Sequence, residues 1–468
     1  MASSSSSGPT VPFGAPMRHA HFAFSPDYTP LNHGSYGAHP VSVRAAHLAL
    51  GAEAESAPDP FIALGFTARL ARSRALAAAA LRCAADDELV FVPNATTGID
   101  TVLRGLEWED GDVALTYEVA YEAVANGVAR AVEASRGAAA AHTVRVAWPV
   151  SDDDLVAACV GAARAINNSD GGSSRRVRLA IVDTVVSLPG ARVPFERLVP
   201  ALQAEGALVL VDGAHGIGHI DIDLAALRPD FFVSNLHKWL FVPRACAALV
   251  VPRRNRHLVR SSLPTSFGFR PRGAEGEGEG EEKEGAFAEM FDFLGTANTT
   301  NYLCVQAALD FRNQVCGGEE AIRAYSHSVA QRGAAVAAEI LGTEIMDIEG
   351  SCMRQCNFAN VRLPLELDEA NTSAATPRAA STTPGEGQGK KDASRKVDPK
   401  HAGKVSLWLK VTGVKESGMY FQTCFYRGVW WWRLSGMIYL EVDDFRRGAE
   451  VLKALCERVR DGEHVTGE

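Results

Sequence analysis

No apolar run in this sequence reaches the length of about 18 residues that a helix needs to cross a bilayer, so a membrane protein is not expected. Cysteine pairing is missing too: there are nine cysteines, an odd number, and no C-x-x-C. That argues against a disulfide framework or a zinc site, and for reduced thiols inside a cell. Basic residues are in deficit, 47 Lys+Arg against 56 Asp+Glu for a net charge of −9, so nucleic acid is not an expected partner. No G-x-G-x-x-G follows an early strand, which removes the usual nicotinamide-binding signature. The first residues, MASSSSSGPTVPFGAPMRHAHFAF, have neither a charged n-region nor an apolar h-region, so a secretory signal is not expected. Residues 1–26 read as a disordered tip. With one arginine and no acid, the tip leaves a weak organelle transit peptide as the alternative to the cytoplasm, the expected location.

What the chain does have is size and apolar content. At 468 residues and 47% hydrophobic, it can build two domains. Its organising stretch is 207–240, ALVLVDGAHGIGHIDIDLAALRPDFFVSNLHKWL. The runs ALVLV and DFFVS have strand length and β-branched content, and each stops at polar residues, Asp212 and His215 after the first, His237 and Lys238 after the second. Loops at the carboxyl ends of parallel strands are where open α/β sheets hold their chemistry. The separation 238 − 212 = 26 residues is enough for a crossover that brings both groups to one crevice. A surface lysine beside a surface aspartate is the plain alternative. Against it, Lys238 stands between apolar runs beside Trp239, where desolvation lowers an amine's pKa and favours its nucleophilic form.

VDGAHGIG followed by PDFFVSNLHKWL closely resembles the pyridoxal-phosphate enzymes of the class V aminotransferase group, fold type I. The resemblance implies a large α/β domain with a mainly parallel, seven-stranded-type sheet between helices, plus a smaller α/β C-terminal domain. It implies Lys238 as the covalent anchor of pyridoxal 5′-phosphate and Asp212 as partner of the pyridinium nitrogen, stabilising the ring as an electron sink. His215 would lie by the phenolic oxygen, and Ser234 and His237 near the phosphate. Some relatives carry glutamine where His215 stands.

Elsewhere the residues alone say less. Asp27 to Pro40, DYTPLNHGSYGAHP, reads as a turn-rich loop through Gly34 and Gly37. It also resembles the L-N-H-G-S-x-G opening of the isopenicillin-N-epimerase-like branch, which implies substrate contact for Asn32 and His33. The alanine-rich stretch 41–81 reads as helix. Leu89 to Val92 reads as a strand, followed by a helix starting at Ala95. There Asn94 or Thr96 either caps the helix or, with Ala95, Thr96 and Thr97, forms the family's phosphate cup. Tyr121 follows the strand in DVALTYEVAYEAV. It is a packing residue on ordinary odds, and a catalytic group over the ring by resemblance. Asp183, Thr184 and Ser187 end another strand, and Ser187 is implied beside the phenolic oxygen.

The acidic tract within 272–286 and the polar stretch 366–403 read as disordered insertions. Gly295 and Thr296 match a pair that reaches the partner's phosphate across a homodimer, and Asn298 stands where many relatives carry an acid. Domain limits follow: 27–50 over the active site, 51–317 the large domain, 318–468 the small one. In RGVWWWRLSGMIYLEVDD, Arg433 is either paired with Glu441 or Asp443 or, by the W-x-R-L-S resemblance, binds a substrate α-carboxylate.

NHGSYG, SNLHKWLFVPRACA, RSSLPTSFGF and WWRLS together look most like the ergothioneine-pathway C–S lyases that cleave hercynylcysteine sulfoxide. The implied reaction takes a small amino-acid-like substrate by α-proton abstraction and β-elimination to a sulfur product, pyruvate and ammonia. Amino-acid racemisation or epimerisation, cysteine desulfuration with Cys424 as acceptor, and an inactive scaffold are the alternatives. Trp430 to Trp432, Tyr36 and Phe267 are candidates for a cation–π surface.

Overall fold

The structure, a computed structural model, describes residues 8–169, 175–259, 286–368 and 396–466. Its strands in chain order are β1 (Leu89–Val92), β2 (Asp112–Tyr117), β3 (Ala139–Val144), β4 (Arg176–Asp183), β5 (Val185–Val186) and β6 (Ala191–Arg192). Then follow β7 (Leu208–Asp212), β8 (Phe231–Asn235), β9 (Ala247–Val250), β10 (Phe358–Arg362), β11 (Thr423–Tyr426) and β12 (Val429–Ser435). The large sheet has the order β1-β9-β8-β7-β4-β2-β3. β9 runs antiparallel to both its neighbours, and the remaining pairings are parallel. The expected mainly parallel seven-stranded sheet is therefore what forms.

Both faces of this sheet are covered, which explains why its strands read as unbroken apolar runs rather than alternating ones. Val209, Val211 and Phe232 pack into one core and Leu210, Phe231 and Val233 into the other, with the period of two that a pleated strand imposes. β7 and β8 pair in parallel through Asp212 and Val233, so the acid ends one strand while the lysine follows the next by three residues. A second sheet, β10-β12-β11, is antiparallel, and the helices Glu319–Leu341 and Val442–Arg460 pack on the small domain's core.

Several expectations need correction. The tip does not run to residue 26: the helix Ala15–His21 buries Met17, and Arg18 binds Asp444 at 2.9 Å. Phe22 then packs edge-on to Tyr439 at 4.7 Å. Apolar residues at 17, 22 and 24 supply burial that the serine-rich start does not, and the boundary was drawn too late. The stretch 41–81 is not one helix but two, Val41–Ser56 and Phe66–Ala80, because Pro58 and Pro60 cannot donate to the ladder. The polar insertion is shorter than 366–403. Leu367 bridges Val397, and a 3₁₀ turn from Pro399 leads into the helix Ala402–Ser417. The acidic tract 272–285, the LPTSFGF run and Phe267 lie outside the described residues. Among those described, no helix is long and apolar enough to cross a membrane.

The segment over the sheet ends is seated by close approach. A Cβ on Gly34 would lie 2.3 Å from the Phe358 ring, and one on Gly37 would lie 1.9 Å from the carbonyl oxygen of His237. Gly37 also has φ of 66°, which disfavours any side chain. Arg244 holds the same turn by donating to the carbonyls of Tyr36 and Gly37 at 3.0 and 2.6 Å. We expect Gly37→Ala to cost about 1–3 kcal/mol, read as a lower unfolding temperature. An unchanged temperature would mean that this segment does not depend on the lysine turn for its seat.

Candidate active site

At the carboxyl ends of β7 and β8, Lys238 reaches into a crevice with its amine 3.1 Å from His215 Nε2. Desolvation, partly offset by the charge of Asp212 and reinforced by that of Arg433, lowers the lysine to about 8. Asp212 is buried at the end of β7. Its Oδ1 accepts the Ala214 N–H at 2.9 Å, and Oδ2 accepts no bond from the described residues. In register beside it, Asp183 ends β4 and takes the Tyr117 hydroxyl on Oδ2 at 2.7 Å. Burial, then the neighbouring Asp212 charge, pushes Asp183 well above the usual carboxylate range. Burial raises Asp212 as well, opposed by the Ala214 N–H and the Lys238 charge.

Arg433, 1% exposed on β12, has no carboxylate partner among the described residues. Its NH2 donates to Asn32 Oδ1 at 2.8 Å and Ser35 Oγ at 3.0 Å, and its NH1 to the Ser187 carbonyl at 2.8 Å. Nε has no acceptor among the same residues, and the plane lies over the Phe358 ring at 4.5 Å. Gly190 makes room, since a Cβ there would sit 2.7 Å from Arg433 Cδ. Burial lowers this arginine to about 10. The ion pairs considered for it do not form: Glu441 caps a helix, and Asp443 pairs with Arg446 and Arg447.

The other expected site residues divide. Asn32 is on Arg433, and Ser187 is on Arg433 too, its hydroxyl 3.3 Å from NH1. His33 is buried with Nδ1 2.7 Å from the Tyr439 hydroxyl and its ring against Trp239, and burial lowers it to about 3. Ser234 Oγ is committed to the protein, donating to the Gly213 carbonyl and accepting from Ile217 at 3.0 Å, so it braces the Asp212 loop. His237 has Nδ1 2.9 Å from the Cys246 carbonyl, and burial lowers it to about 4. Asn94 Oδ1 caps the helix Ala95–Gly105 through Thr97 N–H, and Asn235 Oδ1 takes Ala95 N–H, both at 2.9 Å. Among the described residues that leaves the N–H of Thr96 without an acceptor at a helix amino terminus, a ready anion site. Tyr121 opens the next helix, Glu122–Ala134, and is 52% exposed. Gly295 and Thr296 are exposed, and Asn298 Oδ1 serves Thr300 at 2.7 Å. Trp430 and Trp432 are fully buried and Trp431 nearly so, which removes them from a cation–π surface.

Reading from the sequence missed Trp239, Tyr117, Ser35 and Phe358 as parts of the site. Trp239 stood beside the lysine in plain view, but nothing marked which way its indole N–H points. Tyr117 ends a strand like many packing tyrosines.

Comparison with known proteins now adds to this geometry. The profile of the family Aminotransferase class-V matches residues 62–363. The chain belongs to that family. It is 37% identical to the L-cysteine desulfhydrase-like protein lolT1 of Epichloe uncinata, over 81% of this chain and 82% of that one. It is 29% identical to the hercynylcysteine sulfoxide lyase of Schizosaccharomyces pombe, over 79% of each. Among solved structures, a complex of the cystine C–S lyase C-DES with cysteine persulfide superposes with a TM-score of 0.66 at 18% identity. That match covers 91% of this chain and 97% of the other.

The chain is thus an enzyme that uses pyridoxal 5′-phosphate, and the residues in place suit that cofactor. Lys238 offers an amine for the aldehyde, Asp212 an unspent carboxylate oxygen for the pyridinium, and the helix at Thr96 a donor for the phosphate. An amine titrating near 8 is protonated and inert below that pH and nucleophilic above it. The rate at which cofactor-free enzyme captures pyridoxal phosphate should therefore rise with pH and level off above about 8. Stopped-flow absorbance reads this directly, and a pH-independent rate through that region would contradict the assigned lysine.

Proposed function

We propose that this enzyme is a C–S lyase acting on a cysteine-type substrate by α-proton abstraction and β-elimination, releasing a sulfur product, pyruvate and ammonia. The observation that carries the reading is the buried Arg433 guanidinium with only neutral oxygens around it. An α-carboxylate is the anion that such a fork fits, bidentate and desolvated.

Held by its carboxylate at Arg433, the substrate presents its α-carbon toward Lys238. The Lys238 amine, eased toward its neutral form by desolvation, takes the α-proton. Pyridoxal phosphate, when bound, supplies the sink for the charge that this leaves. The C–S bond at the β-carbon then breaks, the electron pair leaving with sulfur, and a proton is delivered to it. Tyr121, exposed at the mouth of a helix, is our candidate for that donor. Water completes the breakdown to pyruvate and ammonia.

For the sulfur substituent we propose a bulky conjugate of the hercynylcysteine sulfoxide kind, supported by the Schizosaccharomyces pombe relative and the WWRLS and NHGSYG segments. The Epichloe uncinata relative favours a second reading, plain L-cysteine as substrate with sulfide as product. Desulfuration through Cys424 finds less support, since burial pushes that thiol up to about 11 and away from the thiolate that it would need. We also propose a homodimer in which the exposed Gly295 and Thr296 approach the partner's phosphate, and a cytoplasmic location.

Parallel incubation with hercynylcysteine sulfoxide, cysteine sulfoxide and cysteine, quantifying pyruvate, separates the readings. Preferential turnover of the conjugate is expected, and equal turnover of all three would refute that assignment while sparing the lyase. Arg433→Lys should reduce kcat/KM about 100-fold or more, mostly through KM. A KM left unchanged would place the carboxylate elsewhere. Cys424→Ala should keep sulfur release intact.

A further inference from the structure

We propose that Trp239 is a positioning residue whose indole N–H locks His215 in the tautomer carrying its proton on Nε2, making His215 a fixed donor to the Lys238 amine. The inference rests on Lys238 being the cofactor's lysine and is indifferent to which sulfur compound the site turns over.

The argument needs only donor and acceptor accounting. Trp239 Nε1 lies 3.2 Å from His215 Nδ1, and an indole nitrogen can only donate. Nδ1 is therefore an acceptor, which excludes both the doubly protonated imidazolium and the Nδ1–H tautomer. The single ring proton sits on Nε2, and Nε2 is 3.1 Å from Lys238 Nζ. An ammonium there would set donor against donor, whereas a neutral amine accepts. The contact thus biases Lys238 toward the form that attacks the cofactor and takes a proton.

Trp239 is not free to turn away. It is fully buried and stacks on His219 at 4.0 Å and 25°, with Phe358 edge-on at 5.4 Å. His219 is itself pinned, Nδ1 2.8 Å from the His215 carbonyl and Nε2 accepting the Asn357 N–H at 2.8 Å. The residue that follows the lysine in sequence thereby fixes the group that faces the lysine in space. Asp212, Asp183 and Arg433 are the other charges bearing on the amine, and Arg433, His219 and His237 bear on His215. Trp239→Phe alters none of these side chains and removes the indole N–H.

The test uses the full-length chain. After cofactor removal, the acetic anhydride reactivity of Lys238 is followed by mass spectrometry across pH, and cofactor is then restored to confirm the yellow band. Trp239→Phe should raise the midpoint of Lys238 by about one unit, leaving roughly tenfold less reactive amine below it. In a His215→Gln background, the same change at 239 should move the midpoint no further. An unshifted midpoint in a Trp239→Phe chain that regains the band would overturn the proposal, and so would an equal shift with Gln at 215. Should Trp239→Phe not fold, ¹⁵N spectra of histidine-labelled wild type, assigned with His215→Gln, decide by themselves. A proton on Nε2 is expected, and one on Nδ1 overturns the inference. Failure of the cofactor assignment has a separate sign, a yellow band that survives Lys238→Ala.

Discussion

A guanidinium that is taken out of water needs acceptors, and Arg433, on the central strand of the β10-β12-β11 sheet, finds them on two stretches of chain that are far from it and from each other in sequence. Asn32 and Ser35 come from the amino-terminal segment, and Ser187 from the turn between β5 and β6. No one of these stretches can be removed without leaving a buried cation short of partners, which costs several kcal/mol. The dependence also runs the other way. Among the described residues the acceptors are all neutral, so the charge has no carboxylate set against it.

The same constraint governs the lysine end of the crevice. Lys238 and Arg433 are two cations in poorly solvated surroundings: burial lowers both, and the Arg433 charge lowers Lys238 further. Arginine starts so high that it stays charged at about 10, while the amine falls into the working range. On the acidic side, Asp212 and Asp183 stand in register on adjacent strands, burial raises both, and the Tyr117 hydroxyl donates to Asp183.

How much of this was legible in the sequence follows from what each signal depends on. Strand ends carrying Asp212 and Lys238 were readable because apolar runs with both faces buried are unbroken, and the polar residue that stops them is conspicuous. The strand Leu89–Val92 falls at the bounds that patterning suggested, since it is set by local composition. The acceptors of Arg433 were not readable as such. Asn32 and Ser187 were singled out for other contacts, and only the meeting of two domains gives them this one. Ser234 shows the opposite failure: a hydroxyl beside a catalytic segment invites a ligand role, yet both its hydrogen-bonding capacities are used within the fold. The ordered tip and the order that returns at Val397, before the expected 403, were missed for one reason. A polar or serine-rich flank hides the few apolar residues that anchor it.

The histidines of the site make a last point about charge. His33, His215, His219 and His237 surround the lysine turn, and desolvation lowers all four far below neutrality. Were they charged, they would add to the positive field of Lys238 and Arg433, which Asp212 and Asp183 offset at the lysine. Each is instead held neutral by burial and by a bond at one ring nitrogen at least: His33 with Tyr439, His215 with Trp239, His219 with a carbonyl and an amide, His237 with a carbonyl. A neutral imidazole has one donor and one acceptor, so a partner of fixed polarity at one nitrogen determines the other. That is how aromatic packing around Trp239 turns into a direction for the proton that faces the amine.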